Sequence, residues 1–160
     1  MISQIMLDMI EYFQNDARRI NHALKVYGYA VAISSYEQLS DNEKYIIELS
    51  SILHDIGIKV SEQKYNSSAG KYQEIEGPEI ASQIMKNRNI DAEIINRVCY
   101  LIGNHHSYNK INGLDFQILV EADFLVNIYE DDMDKASITS ILNKYFKTKA
   151  GIRIIESLYL

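Results

Sequence analysis

The chain has 160 residues, enough for one domain with a real core, and its 47% apolar content is ordinary for a soluble globular protein. A formal net charge of −6 argues against a broad nucleic-acid surface and leaves room for a small phosphate-binding patch. Cys99 is the single cysteine, which excludes an intramolecular disulfide and a zinc–thiolate site and fits a reducing, cytoplasmic setting. The first residues carry no basic region and an early Asp8, so they do not read as a signal peptide. No apolar run reaches the length of a membrane span.

Taken in order, the chain reads as helices. Ile2, Ile5, Met6, Met9, Ile10 and Phe13 form a helical stripe over residues 2–14. That stripe serves either packing on the domain's own core or a homodimer. Asp16 offers a cap for a helix over about 17–39, with Ile20, Leu24, Tyr27, Val31 and Tyr36 towards the core and Gly28 interrupting it. Ser40 with Glu43 forms a capping box ahead of a helix carrying Ile46, Ile47, Leu49, Ile52, Leu53 and Ile56, with Gly57 as its stop. Residues 58–75 are polar and read as a long connection, either a plain loop or a lid. Gly77-Pro78 opens a helix to about Asn87, and Asp91 caps the next, which ends near Gly103-Asn104. Helices over about 114–130, 134–146 and 148–157 complete an all-α chain of about six to eight helices, with no sign of a sheet.

Several polar residues sit where apolar ones are expected. His54-Asp55 closes an apolar helix, and a buried carboxylate there needs a cation or a metal. His22 lies mid-helix with Arg18 one turn before it; a satisfied core histidine and a ligand are both open. Asp123 stands on the stripe of Leu119, Val120 and Val126, where an ion pair with Lys or Arg is the alternative to a metal, and the neighbouring Glu121 reads as solvated. His105-His106 follow a helix end, and adjacent helical residues point about 100° apart, which gives them different jobs.

Together, Leu-His-Asp-Ile-Gly, Glu-Gly-Pro-Glu-Ile-Ala, Asn-His-His and Glu-Ala-Asp, in that order, resemble the HD superfamily of metal-dependent phosphohydrolases over about residues 16–147. The resemblance implies a single HD-type helical domain over 1–160. It implies that His22, His54, Asp55 and Asp123 hold a first divalent metal and that Asp55 bridges to a second. Two-metal relatives place a histidine where Glu76 stands here, so Glu76 and His105 are the further ligand candidates, with Glu79 as the fallback. The Gly-Tyr-Pro extension of the cyclic-dinucleotide phosphodiesterase branch is absent.

Imidazole and carboxylate donors suit Fe, Mn, Co, Ni or Zn, as one ion or two. The chemistry implied is attack of metal-bound hydroxide on a phosphoester of a small metabolite or nucleotide. Asp55 would position or deprotonate the water, and His106 would donate a proton to the leaving group. Arg18 and Lys59 would grip the phosphate, with Lys64 and Lys71 as further candidates. Tyr65, Tyr72 and Tyr108 could stack on a base. Two other readings stand beside this one: a non-catalytic metal-bearing sensor or partner-binding domain, and a di-iron oxygenase-like protein.

Overall fold

Capping side chains set four of the helix starts. The computed structural model describes residues 1–160 as nine α-helices: α1 (Ile2–Phe13), α2 (Ala17–Ser34), α3 (Asp41–Leu53), α4 (Ile58–Tyr65), α5 (Gly70–Asn87), α6 (Ala92–Ile102), α7 (Leu114–Glu130), α8 (Lys135–Tyr145) and α9 (Lys149–Tyr159). A single 3-10 turn, Tyr108–Lys110, precedes α7. Asp16 accepts from the Arg19 amide to open α2, and Ser40 and Glu43 complete the expected capping box of α3. Asp134 and Thr148 cap α8 and α9 in the same way.

α7 is the central element, with twelve of its seventeen residues buried. α2 and α3 pack against it and against each other, α6 lies on α3 and α5, and α8 and α9 close over α7. One core of 33 buried apolar residues runs from Ile5 to Ile155. Ile5 and Met9 of α1 are fully buried within it, so that stripe packs inside the domain. No helix is long and apolar enough to cross a membrane.

The all-helical expectation holds, with differences in detail. α2 stops at Ser34, because the Ser34 and Ser35 hydroxyls bond back to the Ala30 and Ala32 carbonyls and compete with the helix ladder. Its core face is Ala23, Val26, Ala30 and Ile33; Val31 and Tyr36 are exposed. Residues 58–75 are not one long irregular connection. They form α4, which ends at Asn66 in the left-handed conformation, and the first turn of α5. α4 hid in the sequence because it buries only Ser61 and so has no apolar stripe. Pro78 lies inside α5 rather than at its start, leaving the Glu74 carbonyl without its helical donor.

Gly57 does not stop a helix; it has an ordinary helical φ of −73° and stands at the N-cap of α4. Its role is close approach. A Cβ there would lie 2.6 Å from the Gly77 amide nitrogen, and one on Gly77 would lie 2.7 Å from Ile102 Cγ2. The backbone that follows His54-Asp55 is thereby pressed directly onto α5.

Candidate metal centre

Four helices bring the unusual polar residues to one point. α2 supplies His22, the end of α3 supplies His54 and Asp55, the turn after α6 supplies His105 and His106, and α7 supplies Asp123. His22 Nε2 lies 3.1 Å from His54 Nε2, 3.2 Å from Asp123 Oδ1 and 3.4 Å from Asp55 Oδ2. His54 Nε2 is 3.5 Å from both Asp55 Oδ2 and Asp123 Oδ1. On the other side of Asp55, its Oδ1 is 3.3 Å from His105 Nε2. The donor atoms fall into two groups, His22–His54–Asp123 and Asp55–His105–His106.

The outer edges of the rings are already committed. His54 Nδ1–H donates to the Ser51 carbonyl and His105 Nδ1–H to the Ile102 carbonyl, both at 2.8 Å. His22 Nδ1–H donates to both oxygens of Glu130 at 3.2 Å, and Lys25 holds that carboxylate from outside at 2.9 Å. A carbonyl can only accept, so each of those Nδ1 atoms carries the proton and the Nε2 lone pairs point inwards. Two lone pairs facing at 3.1 Å repel unless a cation sits between them. His105 Nε2 is buried with no hydrogen-bond partner. This donor set fits a divalent transition metal, and the Nδ1 partners are the outer contacts that orient metal-binding imidazoles.

The electrostatics agree. Burial pushes the His54 imidazole down, but Asp55 and Asp123 outweigh it and hold the ring well above its ordinary value. His22 is raised, burial again opposing and Asp123 prevailing. Burial would raise Asp55 and Asp123, yet the facing imidazoles hold both carboxyls well below the usual range. His106 goes the other way: burial, reinforced by His105, pushes it down to about 4. The cluster holds positive charge strongly at its centre and a neutral imidazole at its rim.

A cavity of about 410 Å³ opens onto Asp55, His22, Asp123 and His106. Its wall is polar, with Ile58 the one apolar residue, and Ser68 and Gln73 contribute from the segment read as a loop. Arg18 stands exposed at the mouth. Arg19 beside it is held by Asp16 at 2.8 Å and by Glu62 at 2.5 Å.

Other expected residues lie elsewhere. Glu76 is not in the cluster: Lys64 at 2.9 Å and Tyr65 at 2.8 Å hold its carboxylate on the outer face of α5. Glu79 is exposed. Gln73, four residues before Gly77, is the α5 side chain that reaches the centre; its Oε1 is 3.5 Å from His106 Nε2 and its Nε2 donates to the Ser68 carbonyl. Lys59 is turned away, donating to the Tyr12 carbonyl at the end of α1 and lying over the Tyr12 ring. Lys71 lies over Tyr72, which stacks on Tyr65 rather than lining the cavity. Tyr108 packs on Phe124 and Tyr145. Glu121 is fully buried, not solvated.

Glu130 and Asn127 also line the cavity. Asp123, Asn127 and Glu130 follow i, i+4, i+7 spacing on an otherwise apolar helix, which is a readable polar stripe. Gln73 carried no such signal.

The family model of the HD domain matches residues 19–142. Among solved structures, the chain is similar to the crystal structure of a predicted HD superfamily hydrolase from an uncultured Thermotogales bacterium. The two are 22% identical, with a TM-score of 0.70 over 97% of this chain and 83% of that one, a likeness of fold. No protein of curated function matches closely.

Proposed function

The chain belongs to the HD-domain family, and from that premise we propose that it is a metal-dependent phosphohydrolase acting on a phosphoester of a small metabolite or nucleotide. The observation that carries this reading is the pair of donor groups meeting at Asp55, at the floor of a polar cavity. Bound there, one or two divalent transition metals would supply an acidified water and positive charge for a phosphoryl group.

The chain's own residues do the rest. His22, His54 and Asp123 form one binding group and Asp55, His105 and His106 the other. Asp55, within 3.5 Å of three imidazoles, would orient a water held at the centre. Glu130 and the Ser51 and Ile102 carbonyls hold the three rings edge-on to the centre. Arg18 at the mouth is the free cation for the phosphate oxygens. His106, neutral at pH 7 with a pKa of about 4, offers a lone pair and so serves better as a ligand than as a proton donor. With no Phe, Tyr or Trp on its wall, the cavity offers a base no large ring to stack on, which favours a phosphate there.

The test is elemental analysis of protein reconstituted with Mn or Fe, wild type beside Asp55→Ala, followed by a phosphoester screen. Close to two metals in the wild type, clear loss in the variant and metal-dependent release of phosphate are expected. Absence of metal from both proteins, or full metal loading with no hydrolysis, refutes the reading.

A further inference from the structure

Charge is unevenly spread along the chain. Residues 135–155 contain Lys135, Lys144, Lys147, Lys149 and Arg153 and no Asp or Glu. That segment is formally +5, so a chain of −6 is −11 elsewhere. Two of these cations, Lys144 and Lys147, line a groove of about 800 Å³. His106 belongs to the walls of both spaces.

The two spaces are opposite in charge. The metal-facing cavity has five carboxylates on its wall; the groove has none. The groove offers two ammonium groups, the Asn109 amide and the rings of Tyr108 and Tyr145, 4.7 Å apart, while the Ser107 hydroxyl is already given to Glu74 at 3.1 and 3.2 Å. Its cationic edge is a fixed platform. Buried Glu121 accepts the Lys147 and Thr148 amides at 2.6 and 3.0 Å, and Gln117 holds the Tyr145 carbonyl at 2.7 Å. The backbone that carries both lysines is therefore set before any ligand arrives, which lowers the ordering cost of binding.

We propose that this groove is an anion subsite that takes a second phosphate of the substrate, so that the preferred substrate class is an oligophosphate rather than a simple phosphomonoester. This deepens the phosphohydrolase reading and rests on it for the fate of the first phosphate. One phosphate would lie at the metal-facing cavity and another beside Lys144 and Lys147, with His106 as the wall the two spaces share. Phosphate oxygens match ammonium and amide donors.

The probe is inorganic tripolyphosphate, titrated calorimetrically at constant ionic strength into the metal-loaded full chain, with the heat of the same titration into buffer of equal free-metal concentration subtracted. Wild type should bind tripolyphosphate at least tenfold more tightly than orthophosphate. Lys144→Ala/Lys147→Ala should lose at least tenfold in affinity. Lys135→Ala/Lys149→Ala, with the same charge change outside the groove, should stay within twofold of wild type. Equal losses in the two double variants would reduce the effect to general attraction and overturn the subsite, as would wild-type binding no tighter than orthophosphate. If the chain cleaves no phosphoester but still binds the probe through Lys144 and Lys147, the hydrolase reading falls and the anion groove stands. If it cleaves phosphoesters and the lysine pair is indifferent to the probe, the groove falls alone.

Discussion

Gly57→Ala should be strongly destabilising, and the test of it has its own control. The new Cβ would meet the Gly77 nitrogen at 2.6 Å, the Gln73 oxygen at 2.7 Å and Gly77 Cα at 2.9 Å. Normal contact is about 3.5 Å or more, so α4 and α5 must part by roughly 0.9 Å. All three atoms are backbone, and no side-chain rotation relieves them. Overpacking of this kind costs about 1–3 kcal/mol, and rigid neighbours put it near 3. In a chain of this size that is a fall in Tm of roughly 6–12 °C. The same movement shifts Gln73 and the end of α3 relative to each other, so metal content should fall as well. The control is Gly28→Ala, which meets nothing within 4 Å in mid-helix. It should gain about 1 kcal/mol in helix propensity and roughly 2–4 °C. Thermal melts followed by circular dichroism, with metal analysis of the same samples, decide it. If Gly57→Ala melts with the wild type, or if the two variants shift in the same direction, the close approach of α4 to α5 is not what Gly57 provides.

Three further outcomes are expected. Gln73→His puts a stronger donor beside His106, and should raise the metal-to-protein ratio at limiting metal; an unchanged ratio at every metal concentration would show that position 73 does not reach the site. Glu121→Gln turns an NH₂ towards one of the four donors that now meet the carboxylate, costing about 1–3 kcal/mol; hydrogen exchange should quicken in α9 first, with metal content unchanged. The metal-free chain should lose stability as pH rises above 6.5. His22 and His54 are raised in the folded state, so their contribution is complete below the unfolded value of about 6.5 and is lost as pH passes the folded values. His106, which is depressed, acts in the opposite sense only below that pH. Bound metal requires the deprotonated rings, so loading should flatten or reverse the slope. A metal-free Tm that is flat from pH 6.5 to 9 would count against the raised values.

The parts of the molecule that were legible in the sequence are those where one residue decides. Ser40 with Glu43 marked the start of α3, and Asp16 that of α2, because a cap is a local event. His22, His54, Asp55, His105 and Asp123 stood out as polar residues on apolar faces, and the fold brings them together. The parts that were hidden depend on partners far along the chain. α4 has no stripe of its own, and it is held by α5 rather than by the core. Glu76 and Gln73 are three residues apart in α5, and only the tertiary structure shows which one faces inwards. Glu121 looked like a surface acid; a fold that returns Lys147 and Thr148 onto it makes it a buried anchor. Lys59 followed the His-Asp doublet closely, yet the turn at Gly57 sends it to Tyr12.

The donors at the centre come from four separate helices, between His22 and Asp123, and no short stretch of unfolded chain can gather them. An ion that binds only the assembled form adds about 2.7 kcal/mol at a free concentration a hundred times its dissociation constant. The chain's lifetime in a cell would then follow metal supply: starved molecules open more often and are cleared by proteases, while loaded ones persist. The amount of this protein present would thus report the availability of its ion, without any dedicated sensor domain.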